Sequence, residues 1–294
     1  MSAADWPAAD RGAADRGAAD QGAADLDAGE LLAVATGAAR EAGELLASPG
    51  GRVSVAATKS SPTDVVTKMD RAAETLITER IHAERPGDAV LGEEGGQAAP
   101  SQTGVRWVVD PLDGTVNYLY GLPEWGVSIA AEVDGEVVAG VVATPVLGQT
   151  FSARKGGGSW LRRAGAEPVR LRCNDGVELD RALIATGFGY DAGRRKVQGE
   201  VVGALLPLIR DIRRAGSAAI DLCMVAAGRL DAFYERGLNY WDYAAGGLIA
   251  REAGALVGGL SGRPESTSMT VAAGPALYSR LTGFLAGVDP ERDA

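Results

Sequence analysis

The stretch Val108-Val109-Asp110-Pro111-Leu112-Asp113-Gly114-Thr115-Val116-Asn117-Tyr118 runs from an apolar strand into two aspartates, a proline and a glycine. Trp107, Val108 and Val109 read as a short buried strand, so Asp110 and Asp113 start from a framework where unpaired negative charge is costly. A cation is expected to meet them. Pro111 sets φ and removes an amide donor, which predicts a turn aiming the Leu112 carbonyl and both carboxylates at one point. Such oxygen donors suit a hard cation such as Mg²⁺. Gly114 lets backbone amides approach an anion, above all if Thr115 begins a helical turn. Taken alone, Asp-Gly-Thr also fits a β-turn with a capping hydroxyl.

Two further acidic segments stand outward from this stretch. Glu93-Glu94 follows the short strand Ala89-Val90-Leu91 and precedes Gly95-Gly96, which places carboxylates in a strand-end loop. In isolation a surface loop explains that pair. Asp242, in Trp241-Asp242-Tyr243-Ala244-Ala245-Gly246-Gly247, reads as the N-cap of a helix whose small residues allow close packing beneath a site.

The remaining pattern alternates helix and strand. Leu31, Leu32, Ala35, Ala38, Ala39, Ala42, Leu45 and Leu46 follow helical spacing over Asp27 to Ala47, and a second helix is predicted over Asp70 to Glu84 with Ala72, Ala73, Leu76, Ile77 and Ile81 on one face. Val127 to Val133 and Glu136 to Thr144 form a hairpin through Asp134-Gly135, followed by a strand at Gln149 to Ala153. Helices at Ser217 to Ala227 and Asp242 to Ala253, with strands at Leu230 to Glu235 and Ala255 to Val257, complete an α/β fold of layered sheets. Residues 1–26 are set apart as a low-complexity extension, expected to be disordered. There Arg11, Arg16 and Gln21 each open a Gly-Ala-Ala-Asp unit, a five-residue period that fits neither helix nor strand. The folded domain is expected to span residues 27–294.

Composition narrows the chemistry. The net charge is −10, and residues 1–30 hold seven acidic and two basic residues, so half of the excess lies in that segment. With no basic cluster to neutralise phosphate backbones, no nucleic-acid partner is expected. The chain has no basic and apolar leader and no run of 18 apolar residues, which is read as cytoplasmic with no membrane partner. Cys173 and Cys223 lack metal-site spacing and are expected in the core. The single histidine, His82, falls on a solvated helix face, so the chemistry is expected to run on carboxylates. Thr186-Gly187-Phe188-Gly189 lacks dinucleotide spacing and a following helix, and is read as a loop; Gly156-Gly157-Gly158 is read as part of a hairpin.

Gly92-Glu93-Glu94, Asp110-Pro111-Leu112-Asp113-Gly114-Thr115 and Trp241-Asp242-Tyr243-Ala244-Ala245-Gly246, in that order, resemble the signatures of the inositol monophosphatase family. Lys59 to Asp70, Gly216-Ser217-Ala218-Ala219 and Tyr234-Glu235 resemble its other motifs, and the resemblance covers about Leu31 to Leu285. It implies an αβαβα sandwich of the sugar phosphatase type, commonly a homodimer, that hydrolyses a small-molecule phosphate monoester with two to three Mg²⁺ ions and is often lithium-sensitive.

Carried over by motif, the resemblance assigns one metal to Glu93, Asp110 and the Leu112 carbonyl, and a second to Asp110, Asp113 and Asp242. A third, weaker metal would be supported by Glu93. Thr115 and Asp70, with Glu93, would orient and deprotonate water, so no histidine and no phosphoenzyme are needed. The substrate would meet Glu93, Leu112, Asp113, Gly114, Thr115 and Asp242 around the phosphate, and Gly216, Ser217, Ala218 and Glu235 around the alcohol. Tyr118 to Pro123 favours the inositol branch, and inositol monophosphate is the expected substrate. Histidinol phosphate, fructose bisphosphate and a nucleotide 3′-phosphate remain open, as does a regulatory protein-binding module that keeps the fold.

Overall fold

The computed structural model describes residues 28–48, 55–58, 65–96 and 100–293. The Gly-Ala-Ala-Asp repeat and Lys59 to Asp64 lie outside the described residues. The chain opens with α1 (Ala28–Ala47), a short antiparallel pair β1 (Val55–Thr58) and β2 (Val65–Thr67), and α2 (Lys68–Glu84). A seven-stranded sheet follows in the order β3 (Ala89–Gly92), β4 (Val105–Asp113), β5 (Gly126–Val133), β6 (Glu136–Thr144), β7 (Gln149–Arg154), β8 (Gly158–Arg163) and β9 (Val169–Arg170). Its neighbours are antiparallel except β3 beside β4. The short α3 (Thr115–Tyr120) interrupts it directly after β4.

The second half of the chain builds a five-stranded sheet in the order β11-β10-β12-β14-β13. Its strands are β10 (Leu183–Thr186), β11 (Asp211–Arg213), β12 (Ala232–Glu235), β13 (Leu256–Gly258) and β14 (Thr270–Ala273), interleaved with α4 (Ala192–Leu205), α5 (Ala218–Ala226), α6 (Tyr240–Glu252) and α7 (Pro275–Val288).

Strand alternation sorts these elements into five layers. From β4 and β5, Trp107, Val109, Ile129 and Ala131 join the buried faces of α1 and α2 in one core, whereas Val108 and Ala130 face the other way. There they meet α5, α6 and residues Ala185, Phe233 and Ala272 of the five-stranded sheet. The outer face of that sheet is covered by Val197, Val201 and Leu205 of α4 and Leu277, Leu281 and Leu285 of α7. The layers are therefore α1 and α2, seven strands, α5 and α6, five strands, α4 and α7.

Several sequence expectations needed revision. The strand at Trp107 continues to Asp113, and Pro111 lies inside it. A helix, α4, does open after the Thr186 to Gly189 segment, with Asp191 as its N-cap accepting from Arg194 N at 2.8 Å. On α2 the buried stripe is Asp70, Ala73, Glu74, Ile77 and Ile81, with Ala72 exposed. Cys223 is in the core but Cys173 is half-buried at its margin. His82 is exposed, as expected.

Asp88 ties the start of the large sheet to its centre. The Trp107 indole N–H donates to it at 2.9 Å, and Arg85 and Thr103 donate to the same buried carboxylate. Removing such a buried acceptor strands its donors. Asp88→Ala is expected to lower unfolding stability by about 3 kcal/mol in a urea titration; a loss of a few tenths of a kcal/mol would show that the donors find water instead.

Candidate active site

Strand β4 carries the centre of the site, and a β-bulge sets its geometry. Asp110 pairs with Ser128 and Asp113 with Gly126, so three steps on β4 match two on β5. Residues three apart in a regular strand point to opposite faces. With Pro111 as the extra residue, Leu112 turns to the α1/α2 core while Asp113 joins Asp110 on the face toward α5 and α6. Pro111 fits because a bulge does not require its missing N–H.

Asp110 Oδ1 accepts the Leu112 N–H at 3.0 Å. Asp113 Oδ2 accepts from Ser217 Oγ at 2.6 Å and from Ala219 N at 2.8 Å, at the positive end of α5. Asp242 Oδ2 accepts from Asn239 N at 2.7 Å. The N-cap of α6 is thus Asn239, and Asp242 is the third helical residue, closing a capping box. This corrects the expected N-cap role, and it holds Asp242 with one oxygen committed to backbone. Glu93 lies in the turn after β3, its N–H bonded to the Val109 carbonyl at 3.1 Å, and its side chain is hydrogen-bonded to Asp110.

Four carboxylates therefore gather at one place, Asp110 buried and Glu93, Asp113 and Asp242 half-buried. Burial, followed by repulsion from Glu93, Asp113 and Asp242, holds Asp110 well above the ordinary carboxylate range; burial and repulsion from Asp113 and Glu93 do the same for Asp242. Burial pushes Asp113 up to about 6 despite its donors. Among the described residues no three acids already enclose one ion-sized point, and Asp110 and Glu93 bond to one another. The donor set still fits a hard cation: it is all oxygen, the charges repel, and each aspartate has one oxygen anchored by the protein.

Beside this group the Thr115 hydroxyl lies 3.1 Å from both Asp70 Oδ1 and the Leu112 carbonyl, either of which can take its single proton. Asp70 is buried on α2. Thr115 does begin a helix, α3, and Gly114 precedes it at φ 93°, in the left-handed region. A side chain at Gly114 would also press within 2.8 Å of the Glu124 carbonyl, so glycine is required twice over.

The opposite wall comes from the second half of the chain. Gly216 has φ 95°, Ser217 caps α5, and Ala218 is the first residue of that helix. Asn117 of α3 donates to the Ala215 carbonyl at 2.8 Å and so fastens this wall to the β4 side. Glu235 ends β12, with its carboxylate lying directly over Gly187, where any Cβ would overlap it. Thus the glycine after β10 makes room for Glu235. Burial, reinforced by Asp113 and opposed by the Arg214 guanidinium, pushes Glu235 up to about 8.

All the sequence-predicted residues thus lie on two facing walls: Asp70, Glu93, Asp110, Leu112, Asp113, Gly114 and Thr115 on one, and Gly216, Ser217, Ala218, Glu235 and Asp242 on the other. The sequence reading missed Arg214, Asp221 and Glu74. Asp221 is buried on α5, and burial with repulsion from Glu235 and Asp113 holds it well above the ordinary range. Its signal was an acid inside the otherwise apolar Ala218–Ala226 run.

Carboxylates gathered between two stacked sheets leave the class of protein to comparison with known proteins, which gives the family. The inositol monophosphatase family pattern matches residues 27–287. The inositol-1-monophosphatase of Mycobacterium bovis is 48% identical over 246 residues, 80% of this chain and 83% of that protein. The Nus factor SuhB of Escherichia coli K12 is 40% identical over 237 residues, 79% and 86% of the two chains. The solved structure of Mycobacterium tuberculosis SuhB superposes with a TM-score of 0.76 at 42% identity, covering 91% of this chain and all of that one. The chain belongs to the inositol monophosphatase family and is a phosphatase.

The Glu235 environment dictates a pH response. An ordinary glutamate releases its proton near 4.5, whereas Glu235 holds it to about 8, so between those values the folded state binds more protons than the unfolded state. Stability of the metal-free protein should therefore fall as pH rises through that window. Melting temperatures in chelator are expected to drop between about pH 5 and about pH 8, and Glu235→Gln should flatten the slope. A melting temperature that rises with pH in the parent would contradict the assignment.

Proposed function

We propose that the protein hydrolyses phosphate monoesters with Mg²⁺, with inositol monophosphate as substrate. The observation that carries this reading is the bulge in β4, which turns Asp110 and Asp113 to one face beside Glu93 and Asp242, next to the Thr115–Asp70 pair. Glu93, Asp110, the Leu112 carbonyl, Asp113 and Asp242 would hold the ions. Bound Mg²⁺ would supply a more acidic water and charge stabilisation for the attacking and leaving oxygens.

The chain's own groups do the rest. The Thr115 hydroxyl, donating its hydrogen bond to Asp70, keeps lone pairs with which to orient a water for in-line attack, and it would take up that water's proton while passing its own to Asp70. The Gly114 and Thr115 amides face the phosphoryl oxygens, and Glu93 assists in orienting the water. At the alcohol end Glu235 and the Gly216-Ser217-Ala218 backbone meet hydroxyls. The Ser217 hydroxyl itself is committed to Asp113, so its part there is through backbone. We assign residues 27–294 to this domain, in a cytoplasmic, lithium-sensitive homodimer of the family type.

A second reading draws on the Escherichia coli relative, which is a Nus factor. A regulatory role would add to catalysis, since every donor position of the motif holds a competent residue. Among the described residues no helix is long and apolar enough to cross a membrane.

Asp110→Asn and Asp242→Asn are each expected to lower kcat on inositol monophosphate at saturating Mg²⁺ by roughly 10²-fold or more. Near-parental turnover would remove these residues from the site. A comparison of kcat/KM over inositol monophosphate, histidinol phosphate, fructose bisphosphate and a nucleotide 3′-phosphate ranks the leaving groups. Separately, Gly187→Ala should displace Glu235 and raise KM for the polyol substrate with a smaller change in kcat. An unchanged KM would show that Glu235 does not read the alcohol.

A further inference from the structure

Helix α2 carries a second buried acid, Glu74, one turn beyond Asp70 and on the same face. The chemistry above gives it no part. Its Oε2 accepts the Glu94 N–H at 2.8 Å, and the Gly95 N–H donates to the same carboxylate. Gly92 and Gly95 close over it. A Cβ on Gly92 would overlap the Glu74 carboxylate, and one on Gly95 would come within 2.8 Å of Oε1. The turn holding Glu93 is therefore wrapped around a carboxylate, while the Glu93 N–H is tied to the Val109 carbonyl of β4.

A stable turn alone does not call for this arrangement. Burial disfavours a charge at Glu74, and the neighbouring Glu93 and Glu94 disfavour it further. A neutral cap would stabilise the backbone at lower cost. What a carboxylate adds is two acceptor oxygens that fix two successive N–H groups at once, which sets the direction of the turn.

We propose that Glu74 is a positioning residue: by clamping the Glu94 and Gly95 amides, it fixes the turn that carries Glu93 and so holds the Glu93 carboxylate beside Asp110, within reach of a metal that would separate the two. Asp70 and Glu74 then make α2 a common support, one acid for Thr115 and the next for the Glu93 turn. This inference rests on the Mg²⁺ reading above.

The test is calorimetric titration of the full chain with Mg²⁺, combined with amide hydrogen exchange in metal-free protein. Glu74→Gln should weaken Mg²⁺ binding by about tenfold or more, and exchange at Glu94 and Gly95 should accelerate. The Mg²⁺ concentration for half-maximal velocity should rise in step, with velocity recovered at high Mg²⁺. Gly95→Ala, at an exposed residue, presses on the clamp from the other side and should shift Mg²⁺ affinity in the same direction, so it decides the matter if Glu74→Gln does not fold. Parental Mg²⁺ affinity in a folded variant, even with a lowered melting temperature, would make Glu74 a purely structural residue and overturn the inference. No saturable Mg²⁺ heat in the parent protein would instead overturn the metal reading, and this inference with it.

Discussion

A β-strand alternates its side chains, so two aspartates three residues apart belong on opposite faces of a sheet. The rest of the site depends on breaking that alternation at Pro111. One added residue sends Leu112 into the α1/α2 core and brings Asp113 round to Asp110. Both acids then face the helical layer between the sheets, where α5 offers its N-terminal amides and α6 offers Asp242. The bulge also bends the chain into Gly114 and α3, placing Thr115 against Asp70. Catalytic geometry here is a consequence of strand register.

Concentrating four carboxylates around the buried Asp110 is unfavourable in itself, and the fold offsets it in part with backbone donors. Leu112 N, Ala219 N and Asn239 N each bind one oxygen of a different aspartate. None of these donors neutralises a charge. Burial, with repulsion among the acids, leaves Asp110, Asp113 and Asp242 with raised proton affinity, and a divalent cation is the natural complement to such a group. Arg214 lowers the burden on Asp113, Asp221 and Glu235, yet forms no ion pair with them among the described residues. It therefore tempers the alcohol side while leaving their oxygens available.

The legibility of the sequence follows the range of the interactions. Asp110, Asp113, Gly114 and Thr115 lie within six residues, so their shared purpose could be read from local chemistry, and the helices with strong periodicity, α1 and α2, were equally plain. Pro111 was read as a turn because its constraint on φ is local, whereas the bulge depends on the partner strand β5. Asp242 passed for an N-cap because capping acids at the first and fourth positions look alike until backbone dihedrals locate Asn239. Gly187 looked like part of a failed nucleotide motif; its purpose is set by Glu235, 48 residues away and joined to it only through the β10–β12 pairing.

The two walls also differ in what sequence change can do to them. The β4 wall is covalently compact and is braced by α2 through the Thr115–Asp70 and Glu94–Glu74 bonds. The wall formed by Gly216 to Ala218 and Glu235 draws on α5, β12 and Gly187, which sit in the other sheet and its helices. Changes there can reshape the space for the leaving alcohol without disturbing the bulge, provided that Ser217 and Ala219 keep their bonds to Asp113. Those two bonds, with the Asn117 bond to the Ala215 carbonyl, couple substrate choice to metal geometry and limit how far one can drift without the other.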